Sequence, residues 1–388
     1  VLLSFLTAGF LALVNHQQIK AKFNAGTDAP LLAFLGWLLV SGLTSINREE
    51  TINEAIRFSI PVMAYFLAAY AVPGSGGKKA LAFGIAIIIL VEAAAGILEL
   101  FYPDLLPPRL RAGRPDWTGR AYGTFVNYNH FAGLMELGIF LSFGIIRGVS
   151  EAPSERYDMI AKRIFFTMPS GIMILALVLC ASRGGWAGFA AGLLFFAFIF
   201  GWREQRPWRR ILAMAAVILV VVGSLMMKVN RVAIFERAMS LLQVYHEDDL
   251  SLSERLSMWK SGLAMVGDHP LTGTGWGTFK DAYPSYRRDR LFYGYEFSHN
   301  DYMQMAATGG VPALFFFLWF MVMVFREGFR AIRSDLTHFP AKIMPGVLAG
   351  LLALLAHEMV DFNLMLTSNA LAFFMLCAIA ATAARETP

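Results

Sequence analysis

Charge and cysteine are what this 388-residue chain has least of. Only 16% of its residues are Asp, Glu, Lys or Arg, against roughly 25% in soluble globular domains, which is too few to clothe a water-facing surface. The two cysteines, Cys180 and Cys377, both lie inside apolar runs. That excludes a disulfide framework and a CxxC metal signature, and leaves them as packing residues. No Lys-Ser/Thr follows the glycines at 273, 275 and 277, so that stretch is not a P-loop. Neither an internal repeat between halves nor a repeated carboxylate pattern is visible, which takes weight from a transporter reading.

What is present is apolar. Hydrophobic residues make up 57% of the chain, aromatics 14%, and the mean hydropathy is +0.54, so lipid is the solvent for most of it. The net charge of +5 does not point to nucleic acid, because the basic residues are shared out among short loops between apolar runs. Eleven such runs cover 1–14, 31–46, 55–72, 80–101, 124–146, 164–181, 184–201, 211–227, 302–325, 343–357 and 366–384. The expectation is an all-α polytopic membrane protein with eleven transmembrane helices. Eight fall in 1–227 and three in 300–388, and a long, partly helical loop at 228–299 folds as a small lid. Several runs fall short of the ~20 residues that span a bilayer, and a twelfth helix is expected before Val1.

Orientation follows from lysine and arginine, which concentrate in short cytoplasmic loops. One set of alternate connections holds Lys20, Lys22, Lys78, Lys79, Arg147, Arg156, Lys162, Arg163 and the basic clusters at 203–210 and 326–342. The opposite short connections carry only Arg48, Arg57, Arg109, Arg111, Arg114, Arg120 and Arg183. The long loop therefore falls on the side opposite the cytoplasm, and chemistry is expected there.

The densest group of polar and aromatic residues runs from 252 to 310. A helix over 253–266 with Ser253 as its N-cap would turn Trp259 and Leu263 to the membrane or to the lid's own core, and His269-Pro270 would end it. Gly273, Gly275 and Gly277 form a tight turn that either approaches a phosphate or sugar, or is an ordinary glycine loop. His299 stands where the lid re-enters the membrane, followed by Asn300 and Asp301. A neutral imidazole there can take the proton of an attacking hydroxyl, with a nearby carboxylate to orient it; an interfacial amphipathic histidine is the plainer alternative.

Arg183, in Ser182-Arg183-Gly184, sits on the side that disfavours basic residues. Its guanidinium fork suits a lipid diphosphate, unless it merely snorkels to the interface. Arg255 and the run from Arg109 to Arg120 add positive potential on the same face, as would residues that only contact anionic lipid. Glu92, Glu99, Glu136, His130 and Glu358 lie in or near apolar runs, where an ionisable group needs a partner or a cavity.

Together these stretches resemble the O-antigen ligase and O-antigen polymerase superfamily of membrane glycosyltransferases. The resemblance is carried by 123–132 (Gly-Thr-Phe-Val-Asn-Tyr-Asn-His-Phe-Ala), by Ser182-Arg183-Gly184, by the 255–279 block with Trp259, Pro270, Gly273 and Gly275, and by His299-Asn300-Asp301-Tyr302 with Gly310. It implies metal-independent, cofactor-free, inverting transfer from an undecaprenyl-diphosphate glycan to a hydroxyl of lipid A core or of a growing glycan. On it, His299 is the base, Arg183 and Arg255 hold the donor diphosphate, and Arg120, Asn127, Asn129, His130, Gly273, Gly275, Asn300 and Asp301 support the site. The pattern departs at Phe315, five residues past Gly310, where the ligase form has a small residue or tyrosine; this moves weight from ligase towards polymerase. Transfer to protein, and a flippase needing neither base nor lid, are the other readings.

Overall fold

The computed structural model describes residues 25–102, 119–150, 156–204, 252–287, 295–334 and 338–385. The expected runs 1–14 and 211–227, the arginines Arg109, Arg111 and Arg114, and the first part of the lid lie outside these residues. Eleven α-helices are described: α1 (Ala25–Leu43), α2 (Arg48–Phe66), α3 (Gly74–Phe101), α4 (Tyr128–Ser150), α5 (Arg156–Cys180), α6 (Arg183–Glu204), α7 (Leu252–Asp268), α8 (Phe279–Tyr286), α9 (Asp301–Arg333), α10 (Phe339–His357) and α11 (Thr367–Thr382).

The expectation of eleven transmembrane helices is corrected here. Among the described residues six helices are long and apolar enough to cross a membrane, within α1, α3, α4, α6, α9 and α10. The expected run 55–72 fails for a physical reason. It lies in α2, whose first ten residues include Arg48, Glu49, Glu50, Glu54 and Arg57, and it passes into a π-helical turn at Leu67–Ala71. Runs 164–181 and 366–384 give only the shorter apolar helices Thr167–Cys180 and Thr367–Thr382. Among the described residues the chain is thus an all-α polytopic membrane protein, with six qualifying spans where nine of the expected runs fall.

Two compact units are interleaved along the chain. The first takes Val1–Ala71, Tyr245–Arg326 and Glu358–Ala381; the second takes Val72–Val244, Glu327–His357 and Thr382–Pro388. In the second unit α10 packs against α3, α4 and α6, and α5 packs against α3, α4 and α6. Small residues permit this closeness, as a Cβ on Gly144 would stand 2.6 Å from the Ile343 carbonyl oxygen and one on Gly346 would stand 2.6 Å from the Gly144 nitrogen.

In the first unit the break in α9 organises the lid. Gly310 leaves helical geometry at φ 79° and ψ 167°, and a side chain there would strike the Leu271 carbonyl. Carbonyls near the break are taken up from outside α9: Ala307 O accepts from Thr274 N (3.1 Å), Thr308 O from Gly275 N (2.9 Å) and Gly309 O from Trp37 Nε1 (3.0 Å). Val311 N donates in turn to Pro270 O at 2.9 Å. The lid also has a core of its own, in which Met258, Met265, Phe279, Ala282 and Tyr283 enclose Ala307 of α9, with Trp259 packed alongside. Leu263 is exposed, and α7 begins at Leu252, so Ser253 lies inside its first turn rather than capping it.

Candidate active site

The chain enters α9 through Ser298, His299 and Asn300, and each is fixed differently. Ser298 N donates to Gln304 Oε1 (2.9 Å), its Oγ to Asn300 O (2.8 Å), and its carbonyl accepts from Trp259 Nε1 (3.2 Å). Asn300 caps the helix, its Oδ1 accepting from Met303 N at 2.9 Å, while its Nδ2 donates to Met359 O at 2.9 Å. Held between these two, His299 adopts φ 49°, a left-handed conformation unusual for a residue with a Cβ. Such strain persists only where the surroundings fix it, and it tends to mark functional positions.

The His299 ring stands edge-on to Phe362, with centroids 4.7 Å apart, and Phe362 itself stacks on Phe297 at 4.5 Å. Nδ1 of His299 lies 3.9 Å from Oδ1 of Asp361, whose side chain is 1% exposed against 15% for the histidine. Asp361 is fixed in turn by Phe362 N, which donates to Oδ1 at 2.9 Å. The arrangement is an imidazole at a partly open surface with a buried carboxylate behind it.

More polar groups lie on the same short segment. Asp301, the first residue of α9, accepts at Oδ2 from Leu364 N (2.9 Å), and its own N–H donates to Glu358 O (3.1 Å). Glu358 Oε2 accepts from Asn363 N at 2.6 Å, and Asn363 Oδ1 from Asn369 Nδ2 at 2.9 Å. Burial raises the Glu358 carboxyl well above the usual carboxylate range; the Asp301 charge and hydrogen bond and the Asp361 charge add to this, and the Asn363 N–H partly opposes it. Segment 358–365 therefore binds the N-terminus of α9 through both backbone and carboxylates. Of these residues the sequence had singled out Glu358 alone. Asp361, Phe362 and Asn363 escaped it, although an acid and an amide in the short gap between the apolar runs 343–357 and 366–384 were a usable signal.

Of the other expected residues, Arg255 lies on α7 in this unit, half-buried, and its Nε is enclosed without a hydrogen-bond partner among the described residues. Gly273 and Gly275, at φ 65° and 113°, press directly on α9 and on Ser45. Their N–H groups donate to His269 O (3.0 Å) and Thr308 O (2.9 Å), so the tightness of the turn is used in seating the lid.

The second unit gathers the remainder. Arg183 opens α6 as an exposed side chain. Ser182 Oγ accepts from Gly185 N (3.1 Å) as the helix cap and donates to Asn129 Oδ1 (2.7 Å), while Asn129 N donates to Asn127 Oδ1 (2.8 Å). The buried Arg120 guanidinium lies over the Tyr128 ring at 3.9 Å, and His130 is buried nearby in sequence. The Ser182-Arg183-Gly184 and 123–132 stretches, about fifty residues apart in the chain, are thus joined directly. Glu92 closes the turn before α4 by accepting from Thr124 N.

A family model described as O-antigen ligase matches residues 169–318, which take in Arg183, Arg255, His299 and Gly310. No curated protein matches the chain. Among solved structures, the chain resembles one from a study described as "Structural coordination of polymerization and crosslinking by a peptidoglycan synthase complex". The TM-score is 0.50 at 13% identity, over 94% of this chain and 99% of that one, which is a likeness of fold. Over residues 169–318 the chain is therefore similar to the O-antigen ligase family, on a fold that recurs in a peptidoglycan synthase complex.

Proposed function

We propose that the protein is a glycosyltransferase that moves an undecaprenyl-diphosphate-linked glycan, an O-antigen or a related polysaccharide, onto an acceptor hydroxyl at the periplasmic face of the inner membrane. The observation that carries this reading is His299, strained at the mouth of α9 with Nδ1 turned towards buried Asp361. In the proposed step the acceptor oxygen attacks the anomeric carbon from the face opposite the diphosphate, and its proton passes to Nε2 of His299. The bond from the anomeric carbon to the diphosphate oxygen breaks with its electron pair, and undecaprenyl diphosphate leaves with inversion. Asp361, 3.9 Å from Nδ1, acts through its charge and stabilises the imidazolium that forms. Arg183 and Arg255 bind the donor diphosphate, where guanidinium groups stabilise the charge that grows on it. Lipid A core sugar is the first acceptor.

A growing glycan is the second, and the departure at Phe315, an exposed residue of α9, favours it. The test uses purified protein with an undecaprenyl-diphosphate glycan donor. His299→Ala, Arg183→Ala and Arg255→Ala should each abolish transfer while the protein remains folded, and chelators should leave transfer intact. Turnover retained by His299→Ala would remove the mechanism, and silencing by a chelator would remove its metal independence. Glycan profiles of deletion strains separate the acceptors: lipid-linked polymer accumulates if a ligase is lost, whereas single-repeat capped core accumulates if a polymerase is lost.

A further inference from the structure

The two peptide groups that flank Ser298 are gripped from two different helices. Before the residue, its N–H donates to Gln304 Oε1 of α9 at 2.9 Å; after it, in the peptide bond to His299, its carbonyl accepts from Trp259 Nε1 of the lid helix α7 at 3.2 Å. Gln304 is buried, and its Nε2 is enclosed without a hydrogen-bond partner among the described residues. One of its polar groups is thus left unmet while the other serves Ser298, an arrangement that packing alone does not call for. Trp259 is half-buried beside the lid core. Three residues further on, Gly262 lets α7 sit close on the first turn of α9: a Cβ there would stand 2.8 Å from Cγ of Met303, the residue whose N–H Asn300 caps.

We infer that Trp259 is a positioning residue for His299, acting with Gln304 through Ser298, and that the lid thereby sets where the imidazole points; its part in catalysis rests on the transfer reading above. The φ of His299 is the rotation that joins the 298–299 peptide plane to the rest of the residue. On the far side Asn300 is fixed by its cap and by its bond to Met359 O, so the left-handed value of 49° lasts only while the near plane is held too. Trp259 Nε1 is the group that holds that plane. The strain of a left-handed residue and the worth of one hydrogen bond are of similar size, so losing this bond is enough to let φ relax to negative values and carry the ring away from Asp361. The same helix links the base to the donor. Arg255 stands one turn before Trp259, four residues earlier and so on the same face of α7. The helix that presents a proposed ligand of the donor diphosphate therefore also orients the group that takes the acceptor proton.

Trp259→Phe keeps a ring and deletes the N–H, Gln304→Met keeps the length and deletes the oxygen, and Met265→Ala, in the lid core, is the structural control. Carbon-13 NMR of the purified full chain with labelled histidines, the His299 signal being assigned by its loss in His299→Ala, reads the backbone without any substrate. The His299 Cα resonance should move in Trp259→Phe and in Gln304→Met and stay in place in Met265→Ala. In turnover, kcat per folded molecule should fall about tenfold in the first two variants, the scale of losing a partner that orients a reacting side chain, with KM for donor and acceptor changed by less than about twofold. The control should lose thermal stability and keep its kcat. A His299 signal unmoved by Trp259→Phe, an unchanged kcat in that variant, or an equal loss of kcat in Met265→Ala would overturn the inference. If the signal moves as expected but the wild type transfers no glycan, the transfer reading fails while the hold of Trp259 on His299 stands.

Discussion

Among the described residues a histidine faces a carboxylate in each unit, and these two pairs differ in nearly everything else. His299 and Asp361 are 3.9 Å apart at the end of a helix, the ring partly open and the backbone strained. His357 and Glu136 approach to 3.0 Å with both side chains 0% exposed, enclosed by α4, α6 and α10, where even a Cβ on Gly188 would stand 2.8 Å from Glu136 Oε1. The shorter, better enclosed pair is the one less able to meet a substrate. A tight buried pair pins helices together, and a looser pair at an opening can trade a proton with something that arrives. On the transfer reading, proximity of acid and base is a poor guide to chemistry, and access and backbone strain are better ones.

Exchanging the two histidines for alanine gives the largest contrast. His299→Ala should lower transfer by about 10²–10⁴-fold, the usual contribution of a positioned base, with little change in thermal stability. His357→Ala should cost about 3–5 kcal/mol, the range for breaking a buried pair, seen as a lower unfolding temperature before any loss in kcat per folded molecule. Loss of stability at His299 together with loss of turnover at His357 would reverse the assignment.

A smaller effect is expected at Asp361. Asp361→Asn keeps the shape but not the charge that holds the ring, so kcat should fall by about 10–100-fold, the scale of losing an orienting partner, with KM for donor and acceptor unchanged. Unaltered kcat would leave Asp361 as packing. Gly310→Ala addresses the frame instead of the pair. It should cost at least about 2 kcal/mol, because alanine at φ 79° is strained and its Cβ would strike the Leu271 carbonyl. Chemical denaturation measures that cost.

Much of this was legible in the residues, and what was not has a common cause. Apolar runs located the six qualifying spans, but run 302–325 was read as unbroken and the break at Gly310 in α9 was not anticipated. Hydropathy overcounted because a run such as 55–72 is read without the four charges, Arg48, Glu49, Glu50 and Glu54, that precede it in its helix. His299 could be placed from its position at the end of the lid. Its partner could not, because Asp361 is sixty-two residues further on and is brought near by hydrogen bonds from Leu364 to Asp301 and from Asp301 to Glu358. The glycine turn was ambiguous for the same reason, since only the packed structure shows the N–H groups of Thr274 and Gly275 turned towards α9.

The finest distinction concerns the proton on Glu358. An unfolded glutamate releases its proton near pH 4.3, whereas the folded carboxyl, raised by burial and by Asp301, keeps it to higher pH. Over that interval the unfolded state binds fewer protons than the folded one, so this group makes stability fall as pH rises from below the unfolded value to the folded one. Glu358→Gln resembles the protonated form at every pH. The unfolding temperature of the variant should therefore vary less between pH 5 and pH 8 than that of the parent, with the two converging at the acidic end and the variant higher, by about 2 °C or more, at the basic end. Parallel curves would mean that Glu358 is ionised in the folded protein and that Asp301 faces a charged neighbour.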